Sequence, residues 1–182
     1  HLGYIKKYYI NWLTKFGARS AEHLITVSQN TKEDLESEFD IPPGKISVIP
    51  ISAGDFDLNR TWDKIVDEEY ILYVGTLRPH KNLPNLIRAF CSFKVQSNNN
   101  MKLVIVGVDA NEDINILQQI PKNIADDIYF LGSVSDSELA SLYQHATLFC
   151  YPSLYEGFGI PPLEAMGFGT PVIASNRASI PE

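Results

Sequence analysis

Short apolar runs recur along the 182-residue chain, with helix-period patterns between many of them. The runs are His23 to Val27, Ile46 to Ile49, Tyr70 to Val74, Lys102 to Val106, Ile128 to Leu131, Thr147 to Tyr151 and Pro171 to Ala174. Most lack the polar alternation of a half-exposed strand, which predicts strands covered on both faces by helices. Between them, Leu83, Leu86, Ile87, Phe90 and Phe93 recur at helical spacing, as do Leu139, Leu142 and Tyr143 after the start signal Ser135-Asp-Ser-Glu138. From residue 70 onward the pattern predicts an α/β fold, a Rossmann-like doubly wound parallel sheet. Such sheets bind ligands at the carboxyl ends of their strands.

The alternation is interrupted over 50–69, where Pro, Gly, Asp and Asn cluster with weak periodicity. The expected organisation is a leading piece at 1–49, a linker at 50–69 and a sheet domain at 70–182. The leading piece offers one helix at roughly 2–17, one strand and a helix from near Thr31, too little to close a core. It is expected to be the tail of another domain. The chain stops at Ile180-Pro-Glu182 directly after the last expected strand, so the sheet domain is expected to be truncated there. The first 19 residues carry Lys6, Lys7, Lys15 and Arg19 with no acid, beside Leu2, Ile5, Tyr9, Leu13 and Phe16 at helical spacing. That pattern suits a helix on a membrane surface, giving peripheral contact on its inner face, or a helix that packs on a missing partner. The second is favoured, because amphipathic helices mostly face a core.

Composition narrows the function classes. The chain is 45% hydrophobic and 20% charged, as expected of a globular protein with a core. A net charge of -7 argues against nucleic acid as a partner, which needs a basic face. No apolar run approaches the roughly 18 residues of a membrane span, and no small-residue cleavage site marks a signal peptide. A cytoplasmic location is expected. Cys91 and Cys150 lie far apart inside apolar segments, where thiols pack buried. His1, His23, His80 and His145 show no zinc-type spacing, so no metal site and no cofactor are expected.

The richest stretch runs from Glu156-Gly-Phe-Gly-Ile-Pro-Pro-Leu-Glu164 to Ala174: a strand end, a glycine turn, a helix and a further strand. Gly157 and Gly159 let backbone amides approach a ligand without a Cβ in the way. Pro161 and Pro162 suit a first helical turn and leave Gly157, Phe158, Gly159, Ile160 and Leu163 as donors to an anion at the helix N-terminus. Glu164 is placed in that first turn, where it either accepts hydrogen bonds from a vicinal diol such as ribose or merely caps the helix. Glu156 has no evident structural duty before the turn and could reach another polyol. Phe158 reads as a core residue or as a lid. A second stretch, Tyr73-Val-Gly75-Thr76-Leu-Arg78-Pro-His-Lys81-Asn82, puts two cations at the same edge of the sheet, with Asn82 a candidate N-cap. Arg78 and Lys81 are either a diphosphate clamp or a solvated basic loop. Loops at Val106-Gly107 and Ser133-Val134 follow strands, precede helices and could hold a flat base.

Taken together these residues resemble the retaining GT-B glycosyltransferases of the family-4 type, over nearly the whole chain. The resemblance rests on Glu156 and Glu164 with seven residues between them, Gly157-Phe-Gly159, Glu164-Ala-Met, Gly169-Thr-Pro-Val-Ile, Val74-Gly-Thr-Leu-Arg78-Pro-His-Lys81-Asn and Phe130-Leu-Gly-Ser-Val134. It implies one domain of a two-domain GT-B architecture and a hexosyltransferase of polysaccharide biosynthesis using a UDP-, GDP- or ADP-sugar. Transfer would proceed with retention and without metal, to a saccharide or lipid-linked acceptor held mainly by a missing N-terminal domain. It further implies that Lys81 and an arginine contact the donor diphosphate and that Glu164 holds the ribose. Glu156 and the amides around Phe158 and Gly159 would touch the sugar, and Val106-Gly107 and Ser133-Val134 the base. Many relatives have an arginine directly after the glycine matching Gly75; this chain has Thr76, and Arg78 could substitute. A non-catalytic nucleotide-sugar-binding module is the alternative of a different class.

Overall fold

The computed structural model describes residues 2–54, 56–97, 99–109 and 120–182, with side chains in the first helix from Tyr9 onward. The chain divides into two compact units, residues 1–51 with Glu182, and residues 52–181.

The first unit holds helix α1 (Leu2–Ser20), strand β1 (Leu24–Thr26), helix α2 (Gln29–Phe39) and strand β2 (Ile46–Val48), with β1 and β2 paired in parallel. Ser28 caps α2 by accepting from the Thr31 amide, and Asp40 closes it in the left-handed conformation. Along α1 the side chains of Tyr9, Trp12, Leu13 and Phe16 are exposed, with Tyr9, Trp12 and Phe16 stacked in sequence. Leu2, Ile5, Lys6 and Lys7 lie outside the described side chains. Among the described residues no helix is long and apolar enough to cross a membrane.

The second unit holds a five-stranded parallel sheet of β3 (Tyr70–Val74), β4 (Lys102–Val106), β5 (Ile128–Phe130), β6 (Leu148–Tyr151) and β7 (Val172–Ala174), in the order β5-β4-β3-β6-β7. Its helices are α3 (Leu83–Ser97), α4 (Asp136–His145) and α5 (Ile160–Gly167). Successive strand side chains point to opposite faces, and the sequence uses both. Tyr70, Leu72, Val104, Val106, Phe149 and Tyr151 pack with Leu142, Tyr143 and Ala165 from α4 and α5. Tyr73, Leu103, Ile105 and Ile128 pack with Leu83, Leu86, Ile87 and Phe90 from α3. Two cores back to back explain why these strands read as unbroken apolar runs. All seven expected strands form, each within a residue or two of its apolar run. The helix expected after Asp109 lies outside the described residues.

Four local expectations are corrected. Phe93 is exposed, because the last turns of α3 turn its side chain away from the sheet that buries Phe90. Asn82 precedes α3, but in the left-handed conformation, and its amide donates to the Pro152 carbonyl at 3.0 Å rather than capping the helix. Cys91 and Cys150 are half-buried, at the margin of the α3-side core. Segment 60–63, inside the expected linker, is fastened to α4. The Trp62 amide donates to Gln144 at 2.8 Å, Gln144 donates to the Arg60 carbonyl at 3.1 Å, and Ser141 donates to the Asp63 carbonyl at 2.7 Å.

Leu72 is fully buried at the centre of the sheet, whereas Val95 on α3 is 73% exposed. Leu72→Ala is therefore expected to cost about 2–5 kcal/mol through lost burial and a residual cavity, and Val95→Ala less than about 0.5 kcal/mol. Urea denaturation of the two variants measures the contrast.

Candidate active site

In strand order, β4 and β5 lie on one side of β3, while β6 and β7 lie on the other. The loops leaving β3 and β6 therefore part company above two neighbouring strands, the place where open α/β sheets form a ligand crevice. Both chemically rich stretches of the sequence leave the sheet there. They are bonded to each other: the Leu154 amide donates to the His80 carbonyl at 2.7 Å, and Asn82 reaches Pro152.

At their junction the Lys81 ammonium lies 2.8 Å from Glu156 Oε1, with side chains 16% and 13% exposed. Lys81 also donates to the Tyr151 hydroxyl at 3.1 Å. The ammonium is thus held between a carboxylate, as an ion pair, and a phenol, as a hydrogen-bond donor. Lys81 owes its place to a 3₁₀ turn, Pro79–Lys81, started by a proline whose φ is preset and closed by Asn82. Arg78 stands at the start of that turn, exposed, with no side-chain partner among the described residues. The two expected cations thus differ: Lys81 is built into the site and Arg78 stands exposed at the start of the same turn.

Burial pushes the Glu156 carboxyl up, but polar contacts from Lys81 and Ser153, the Lys81 charge and Tyr151 outweigh it and hold the group below the ordinary value of 4.5. The loop after Glu156 is pinned by Ser179, whose hydroxyl donates to the carbonyls of Glu156 at 2.8 Å and Phe158 at 3.1 Å. Phe158 is half-buried and belongs to neither core. The turn ends at Gly159, the N-cap of α5, with φ 107, a conformation that strains any residue with a Cβ. No side chain caps α5, and Pro161 and Pro162 occupy its first turn, so its positive end is left to the amides of Phe158, Gly159 and Ile160.

Glu164 is not in that first turn. Ile160 is the first helical residue, so Glu164 is the fifth, and α5 has no acid in its first turn. This removes the capping role. Its Oε2 instead accepts from the Tyr143 hydroxyl at 2.8 Å.

The remaining loops line up along the same edge. The Gly75 amide donates to the Val106 carbonyl at 3.0 Å, and the Gly107 amide to the Gly132 carbonyl at 2.7 Å. Gly107 has φ 87, and a Cβ there would come within 2.8 Å of the Gly75 carbonyl oxygen, so only glycine lets the two loops touch. Val106 is buried beneath the edge, whereas Thr76 and Ser133 are exposed and Val134 is half-buried beside the α4-side core. The structure thus brings Lys81 and Glu156 together, with the glycine turn following directly from Glu156. It sets Gly75, Thr76, Gly107, Ser133 and Val134 along the edge and leaves Arg78 unengaged. Among the described residues no group of three or more histidine, cysteine, aspartate or glutamate side chains could hold a metal ion.

Sequence reasoning missed Tyr143, Tyr151, Ser153 and Ser179, all buried and all touching the site. The tyrosines were legible only as apolar positions, although a buried tyrosine hydroxyl usually requires a partner.

Comparison with known proteins shows the family. Residues 56–182 match the model of the family described as Glycosyl transferases group 1. The chain belongs to that family. As a group 1 glycosyl transferase chain it also matches, over residues 1–51, the model described as Glycosyltransferase Family 4. It is 36% identical over 175 residues to the O-antigen chain mannosyltransferase RfbU of Salmonella typhimurium, covering 95% of this chain and 47% of that protein. It is 32% identical over 173 residues to O-antigen chain mannosyltransferase B of Escherichia coli, covering 90% and 45%. The chain thus spans a little under half the length of these relatives. Among solved structures, sucrose-phosphate synthase from Thermosynechococcus elongatus superposes with a TM-score of 0.72 at 25% identity, over 92% of this chain and 44% of that one.

Because the folded pKa of Glu156 is depressed, its ionised form contributes stability above pH 4.5 that is lost as pH falls through the folded value. Wild type is expected to be more stable than Glu156→Gln at pH 7, with the gap closing below pH 4.5. Thermal unfolding of both proteins between pH 3 and 7 measures it, and a gap independent of pH contradicts the assignment.

Proposed function

We propose that this chain carries the donor side of a hexosyltransferase that uses a nucleoside-diphosphate sugar, retains anomeric configuration and needs no metal. The observation that carries this reading is the Lys81–Glu156 pair at the strand-order reversal, from which the glycine turn leads to the uncapped α5. Lys81 and the α5 terminus are two positive centres for a diphosphate, one a point charge and the other an array of amides. Arg78 supplies a third from solvent, in place of the arginine that relatives have where this chain has Thr76. Glu164 takes the ribose hydroxyls, Glu156 and the Phe158-Gly159 amides take the sugar, and Val106-Gly107 with Ser133-Val134 flank the base.

In the transfer, the bond from the anomeric carbon to the diphosphate oxygen breaks and its electron pair leaves with the diphosphate. The acceptor oxygen bonds to the carbon on the same face, and its hydroxyl proton neutralises part of the departing charge. Catalysis is then chiefly electrostatic: fixed donors meet charge where it develops, and losing one such donor costs about 10²–10³ in rate. Both relatives are mannosyltransferases by name, which supports mannose as the hexose. The O-antigen chain in those names supports a saccharide acceptor.

Calorimetry with UDP, GDP and ADP in EDTA tests this reading. At least one is expected to bind, and Lys81→Ala to weaken it by about 10–100-fold through loss of a charge-assisted hydrogen bond. Glu156→Ala is expected to leave that affinity within a few-fold and to lower turnover with acceptor. No heat from any of the three overturns the proposal.

A further inference from the structure

Glu164 lies on α5, and its geometry is set by a group outside that helix. The group is Tyr143, on a different helix. Its hydroxyl donates to Glu164 Oε2 at 2.8 Å. Tyr143 is fully buried, and its ring cannot swing: it stacks on Phe168 at 5.8 Å and meets Phe149 at 5.6 Å and the edge of Phe56 at 6.3 Å. Its backbone is held too, since the Thr170 hydroxyl donates to the Tyr143 carbonyl. Burial pushes the phenol well above its usual range, with the neighbouring Glu164 charge acting in the same direction, so it stays a donor. The other carboxylate oxygen, Oε1, faces Gly54, where a Cβ would approach to within 3.1 Å. One oxygen is therefore committed to the protein, and the other lies against a strip of backbone without a side chain.

We infer that Tyr143 is a positioning residue for nucleotide recognition: by holding Oε2 it locks the Glu164 carboxylate so that Oε1 is presented to the ribose hydroxyls of the donor. This rests on the proposed donor site. A flexible glutamate loses side-chain freedom when it binds a diol, and a partner that fixes the carboxylate beforehand removes part of that cost from binding. The same aromatic cluster carries Phe56 from the segment just after Gly54, so the residues that fix Glu164 also fix the wall beside Oε1.

The test compares UDP, GDP and ADP with their 2′,3′-dideoxy counterparts by calorimetry, on wild type and Tyr143→Phe. The substitution keeps the stacked ring and removes only the hydroxyl. Wild type is expected to prefer the ribonucleotide, and Tyr143→Phe to bind it roughly tenfold more weakly, as for loss of a hydrogen bond to a charged group. Affinity for the dideoxy compound is expected to change less than about twofold, since the missing interaction never reached it. In a Glu164→Ala background, Tyr143→Phe is expected to have no further effect on either ligand. Equal weakening of both ligands shows a merely structural role and overturns the inference. So does an unchanged ribonucleotide affinity, or a Tyr143→Phe effect that persists without Glu164. If none of the three diphosphates binds wild type, it is the donor site that fails; if they bind with ribose preference and Tyr143→Phe is silent, only this inference fails.

Discussion

The strand order reverses at β3, and the site follows from that reversal. A parallel sheet covered on both faces leaves its two edges of loops as the places where backbone polar groups and charges can meet a ligand. Because β4 adds to one side of β3 and β6 to the other, the loop after β3 and the loop after β6 leave neighbouring strands side by side. A lysine from one and a glutamate from the other meet at 2.8 Å. Neither charge would be tolerated so deep without the other, and the pair ties together two segments about seventy residues apart in sequence.

Around this pair the core and the site are continuous. Tyr151 ends β6 inside the α4-side core and places its hydroxyl under Lys81. Tyr143 lies in the same core and reaches Glu164. Tyr73, on the opposite face of β3, is fully buried, and its hydroxyl has no partner among the described residues and crowds Gly75. Tyrosine suits these places because its ring packs as an apolar side chain while its hydroxyl meets the polar edge. Rigidity at the candidate site thus comes from aromatic packing below it, with the glycine turn and the 3₁₀ turn shaping its surface.

The strands were legible because burial on both faces forces unbroken apolar runs, and Tyr70–Val74 and Lys102–Val106 have the very bounds of their runs. The pairing of Lys81 with Glu156 was not legible, since it depends on which strands are neighbours. Glu164 was expected in the first turn and stands just beyond it, because Pro161 and Pro162 suit several first-turn positions and only the backbone shows that Ile160 leads them. Asn82 has the composition of an N-cap, yet the 3₁₀ turn before it fixes a left-handed backbone and directs its amide to Pro152. Tyr143 and Tyr151 read as core because periodicity sees their rings and is blind to their hydroxyls. Segment 60–63 has no periodicity to read, and its bonds to α4 are made by backbone groups.

The carboxyl edge at β3 and β6 is proposed to be a preorganised diphosphate site. A crystal structure of the protein with a bound nucleoside diphosphate tests it most directly. The account predicts a phosphate oxygen within hydrogen-bond distance of Lys81 Nζ, another at the amides leading into α5, and the ribose on Glu164 Oε1. A nucleotide bound elsewhere, such as in the cleft beside Lys94, Asn99 and Asp127 before the amino ends of β4 and β5, with the Lys81–Glu156 pair untouched, would contradict it.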